Sequence, residues 1–142
     1  MRWGRIVGLA FGLEAALFAT LVPLQALMPV KLWFVAVAIG CALLGYVAGR
    51  LTARGLTSRA PLHGFLVGVL ATIIYLVLNI LGPGGLSAAV EVYGAPLFVL
   101  LNGLRIAGCT AGAIQQRRGA TIPSSRPSTA RPTTDRAERS SR

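Results

Sequence analysis

Four stretches of the chain are almost continuously apolar, and the polar residues gather in the gaps between them. They cover about residues 6–28, 32–53, 62–82 and 92–114. Each reaches the ~20 residues that a helix needs to cross a ~30 Å hydrocarbon core. A helix that is apolar all round has to be covered on every side, and a bilayer does that. The pattern predicts four transmembrane helices.

The first stretch starts like a signal peptide, with Arg2 and Arg5 ahead of it. Glu14 then interrupts the apolar run and no A-x-A site closes it. It also exceeds the ~7–15 residues of a typical signal core, so it is expected to be a retained helix. The gaps are short: Pro29-Val30-Lys31, then residues 54–61, then a longer turn opened by Gly82-Pro83-Gly84-Gly85. Short gaps imply a compact antiparallel bundle. From Gly119 the chain turns to Ser, Thr, Pro and Arg with no apolar period. Such a segment has nothing to offset its ordering entropy. The expected organisation is therefore an all-α four-helix transmembrane domain over residues 1–118 and a disordered basic tail over 119–142.

Composition sharpens this picture. Hydrophobic residues make up 54% of the 142 and charged residues only 13%, against ~25% charged in an average soluble domain. That excludes an ordinary soluble enzyme, a disordered protein and a disulfide scaffold. The formal net charge is +10, but it lies on one side of the predicted bundle. Arg2 and Arg5 precede the first helix, Arg50, Arg54 and Arg59 flank the second gap, and Arg117 and Arg118 follow the fourth helix. The opposite gaps hold Lys31 and Glu91. The positive-inside rule then predicts a multi-pass protein of the inner (cytoplasmic) membrane with both termini in the cytoplasm. Trp33 and Tyr93 are expected at the outer interface and Trp3 at the inner one. The basic face should attract anionic lipid headgroups. Nucleic acid is not an expected partner, because the basic tail carries no aromatic residue to stack on bases.

Candidate chemistry is sparse. One histidine, His63, and two cysteines, Cys41 and Cys109, form no metal-ligand spacing. No phosphate loop, nucleophile elbow or pair of carboxylates appears, so neither an enzyme nor a cofactor is expected. The cysteines fall at different heights in the bundle, too far apart for the ~7 Å that a disulfide tolerates. They are read as small packing residues, and His63 as a solvated interfacial side chain.

The glycines do carry a pattern. G-x-x-x-G opens the first helix at Gly8 and Gly12 and the third at Gly64 and Gly68. G-x-x-A-G closes the second helix at Gly45 and Gly49 and the fourth at Gly108 and Gly112. This spacing predicts two tandem helical hairpins of parallel orientation. It also predicts four packing stripes, because small residues let helix backbones approach in lipid. The first stripe is Gly8, Gly12, Ala15 and Ala19. The second is Ala38, Ala42, Gly45, Gly49 and Thr52. In the third, Gly64 and Gly68 continue through Ala71, Thr72 and Tyr75 to Asn79, and the fourth holds Gly94, Phe98, Arg105, Gly108 and Gly112, with Asn102 near its edge. Pro23 and Pro96 are expected to bend their helices.

GYVAGR at the end of the second helix, followed by LHGFLVGVLATIIYL, resembles a family of small uncharacterised bacterial four-helix membrane proteins. The matching positions are Gly45, Ala48, Gly49, Arg50, His63, Gly64 and Gly68. The resemblance spans helices two to four and implies fold and location, without an activity.

Two charges remain deep in the predicted membrane. Glu14 lies eight residues into the first helix and Arg105 nine residues from the cytoplasmic end of the fourth. Both depths come to about 12–14 Å. Equal heights and opposite signs predict an ion pair within the chain, although Glu14 projects away from the glycine stripe of its own helix. Contact with another subunit and a proton-carrying carboxylate remain the other readings. The expected role is structural or accessory, alone, as a homo-oligomer or with another membrane protein. The alternative is a small proton-coupled transporter or channel that uses Glu14.

Overall fold

A computed structural model describes residues 3–56 and 58–120. Among these residues five helices follow one another: α1 (Trp3–Leu27), α2 (Val30–Ala53), α3 (Ala60–Leu81), α4 (Gly85–Tyr93) and α5 (Ala95–Ala120). No strand occurs among the described residues. The helices α1, α2, α3 and α5 are long and apolar enough to cross a membrane. Large apolar side chains such as Phe11, Leu43 and Val99 stand exposed on their outer faces, where lipid replaces water. The protein is a membrane-embedded helical bundle. The tail expected from 119 lies outside the described residues, apart from Gly119 and Ala120, which end α5.

The last gap differs from expectation. Gly85–Tyr93 forms a short helix of its own, and the final membrane helix starts at Ala95 rather than at 92. Gly94 makes the break, with φ at +73° and ψ at 146°, a combination essentially confined to glycine. Pro96 consequently sits in the first turn of α5 and not inside a helix. Its missing N–H has no helical partner to lose there, so it does not bend α5 as expected.

The tightest packing lies between α2 and α5, at the arginine-rich end. A β-carbon on Gly45 would stand 2.9 Å from the Arg105 carbonyl oxygen, and one on Gly49 would collide with the Cys109 carbonyl. Reciprocally, a β-carbon on Gly108 would stand 2.6 Å from the Ala42 carbonyl oxygen, and one on Gly112 would strike that of Tyr46. Each G-x-x-A-G motif thus lies in the other's groove, with both helices running the same way. The helix α3 closes on this seam through Gly64, 2.5 Å from the Cys109 oxygen, and Gly68, 2.7 Å from the Ile106 α-carbon, both measured from an added β-carbon. Cys109 is the buried hub that all three helices touch.

The first helix breaks the pattern. Gly8 and Gly12 are exposed, with nothing within 4 Å of an added β-carbon. The expected stripe of Gly8, Gly12, Ala15 and Ala19 is not the packed face. The buried face is Ile6, Ala10, Leu13, Glu14 and Leu17. Aligned by its glycines with α3, α1 buries residues displaced by two positions, or about 200° around the helix. Bulk decides this: leucine and isoleucine fill the space between α2 and α3, which glycine would leave empty. Arg5 then ties α1 to the end of α2, donating to the Arg54 carbonyl at 2.7 Å and to that of Leu51. Those carbonyls have no partner further along their own helix.

Candidate functional site

Both α1 and α5 pack on α2 and α3, but not on each other. Repeating the α2–α3 contact by the symmetry of the glycine motifs would join α5 to α1. The roll of α1 leaves that contact unmade, and two charged side chains reach across instead. Glu14 Oε1 lies 2.9 Å from Arg105 Nη1, with both side chains more than nine-tenths buried. The distance is that of an ion pair, but the atoms are not aligned as a hydrogen bond. Both oxygens of Glu14, together with Nε and Nη1 of Arg105, have no hydrogen-bond partner.

Arg105 is held from three sides. Glu14 on α1 supplies the opposite charge, and Cys41 Sγ on α2 lies 4.0 Å from Nη2. The Tyr75 ring on α3 faces the guanidinium, with Cζ 4.8 Å from its centroid. A cation over an aromatic face gains up to ~2 kcal/mol where water is excluded. The conflict over Glu14 is resolved by the roll of α1, since the carboxylate shares the buried face and the glycine–alanine stripe points away.

A cavity of about 330 Å³ opens above this pair, at the end of the bundle remote from the arginines. Glu14 and Arg105 form its floor. Leu17, Val37 and Leu101 line its walls, and Ala89 of α4 closes part of the top. Trp33 and Tyr93 also line it, with their rings stacked 5.6 Å apart and Phe34 tilted against both. Trp33 is buried, and its Nε1–H donates to the Leu21 carbonyl at 3.4 Å. Burial pushes the Tyr93 phenol up to about 12. Two amides complete the polar lining. Asn79 and Asn102 each donate to the backbone carbonyl four residues earlier, at 2.8 Å, which leaves Asn102 Oδ1 without a partner.

The glycines Gly45, Gly49, Gly64, Gly68, Gly108 and Gly112 meet in the seam below the pair, and Gly8 and Gly12 lie outside it. His63 is buried at that end rather than solvated, with Nδ1 2.9 Å from the Arg59 carbonyl, an arrangement that keeps the proton on Nδ1. Cys41 and Cys109 are free and buried. Sequence reasoning placed Tyr75, Asn79 and Phe98 on the right faces but read them as packing. The available signal was the change along each stripe from glycine to aromatic and amide side chains. A cradle for a large side chain needs space that glycine-sized neighbours would close.

No family model, no curated protein and no solved structure matches this chain. What the site can do follows from its own chemistry. It offers an ionic floor of zero net charge, free hydrogen-bonding atoms of both kinds, and apolar and aromatic walls of ligand-binding size.

Proposed function

We propose that the protein binds a small amphipathic molecule within the inner membrane, as an accessory component and not as an enzyme. The observation that carries this is the cavity of about 330 Å³ above an ion pair with hydrogen-bonding capacity left over. A bundle that serves only to hold itself together has no use for such a space, and the arginine-rich end of this one is closed by glycine contacts. The volume lies within the ~300–1,000 Å³ range of small-molecule sites. Both termini face the cytoplasm in this proposal, and Arg50, Arg54 and Arg59 meet anionic headgroups there. A second copy or another membrane protein covers the open Gly8–Gly12 face.

The transporter reading draws on the same carboxylate. A proton-coupled carrier built on Glu14 has to break a pair held at 2.9 Å in every cycle, so binding is the simpler use of the site. The test is retention. Protein purified in nanodiscs should carry a small molecule that Ala88→Phe, which fills the cavity from α4, fails to carry. A wild-type protein from which mass spectrometry recovers nothing beyond bulk lipid would overturn the proposal. Impermeant thiol labelling of a cysteine placed at Gly84 but not at Gly119, in intact cells, checks the orientation. The reverse pattern rejects it.

A further inference from the structure

The cavity also limits the kind of molecule it accepts, provided that the binding role proposed above holds. Its floor has no net charge, because Glu14 and Arg105 neutralise each other at 2.9 Å. A charged head would have to take one member of the pair, leaving the other buried and uncompensated in a low dielectric. An uncharged head faces no such conflict. It can complete the hydrogen bonding that the pair leaves open: Glu14 Oε2 lacks a donor, while Arg105 Nε and Nη1 lack acceptors. One group that both donates and accepts serves both sides.

The mouth indicates where the molecule comes from. The helices α1 and α4 do not pack together, and both contribute to the cavity lining, through Phe18 and Val22 on one side and Ala88 and Val92 on the other. Val22 is 58% exposed and Val92 57%. An opening edged by exposed valine and phenylalanine, between a membrane helix and the short α4, is apolar and admits a molecule with an apolar body. We infer that the ligand is an uncharged amphiphile, with a hydroxyl or primary amide head on the Glu14–Arg105 pair and its apolar body against Leu17, Val37 and the Trp33–Tyr93 stack.

Trp33 provides the readout, because it lines the cavity and bromine quenches indole fluorescence at short range. Trp3→Phe removes the second tryptophan, at the other end of α1. The protein in nanodiscs is titrated with decanol, decanoate and decyltrimethylammonium, each brominated on the chain and compared at equal mole fraction in the bilayer. The alcohol should quench Trp33 at a mole fraction about tenfold lower than either ion, the difference of roughly one hydrogen bond. Glu14→Gln leaves Arg105 uncompensated and should shift the preference to decanoate, while Arg105→Gln should shift it to the ammonium. Equal quenching by all three in the wild type overturns this inference while leaving a bound amphiphile in place. Preference for either ion also overturns it. No quenching by any probe removes the binding role as well.

Discussion

The two ends of this bundle use the same helix faces in opposite ways. At the arginine-rich end, glycine lets the backbones of α2, α3 and α5 touch, and nothing fits between them. At the other end the same faces continue as Tyr75, Asn79, Phe98 and Asn102, and the helices enclose a cavity. In lipid there is no hydrophobic gain from bringing helices together, so close packing must come from dispersion and backbone approach. The glycine seam supplies that approach once. The molecule is then free to remain open at its other end, with the Glu14–Arg105 pair as the border between the two regimes.

The largest effect should follow from breaking that border. Glu14→Leu or Arg105→Leu alone leaves a buried charge without its partner, a loss of about 3–5 kcal/mol. The double variant Glu14→Leu with Arg105→Leu should be far less destabilised than either single change. The exchange of Glu14→Arg with Arg105→Glu should recover part of the loss. Unfolding of purified protein in mixed detergent micelles measures all four. A double variant that loses the sum of both single losses would show that the two charges are energetically independent.

Next in size are the glycines, where the comparison becomes sharp. Gly49→Leu places a side chain where the Cys109 carbonyl already stands, and Gly68→Leu meets the backbone at Ile106. Overpacking of this kind costs about 1–3 kcal/mol, and more when backbone has to move. Gly8→Leu and Gly12→Leu meet open space within the chain and should leave its unfolding unchanged. These pairs carry the same sequence motif, so equal losses at Gly12 and Gly68 would contradict the half-turn roll of α1. A loss at Gly12 that appears only at high protein concentration would instead place a second copy on that face.

That contrast also shows what the sequence made legible. The spanning helices follow from run length alone, because nothing but a long apolar helix satisfies both bilayer and backbone. The short α4 does not, since Gly85–Tyr93 mixes serine, glutamate and alanine between two glycine breaks and runs into the next apolar stretch. The G-x-x-x-G motif indicates where a backbone can approach another, not whether one does. In α3 the neighbour is there, whereas in α1 the bulkier Leu13 and Leu17 win the interior. Equal depth predicted the partners Glu14 and Arg105, because a charge in lipid has few alternatives. The interfacial preference of Trp33 and Tyr93 does not reveal that the two rings stack, because it gives a height and not a partner.

The smallest expected effect concerns how α1 is held at the closed end. No glycine of α1 lies in the seam, so its end is fastened by Arg5, which donates to the carbonyls of Arg54 and Leu51 at the terminus of α2. A cation at a helix C-terminus gains about 0.3–1 kcal/mol at the surface, and salt screens it. Arg5→Gln should lower stability by about that amount at low ionic strength, and the difference from wild type should shrink as salt is added. Gly49→Leu should lose the same amount at every salt concentration, because overpacking is not electrostatic. If the Arg5→Gln loss also ignored salt, Arg5 would be fastening α1 through the packing of its stem and not through its charge.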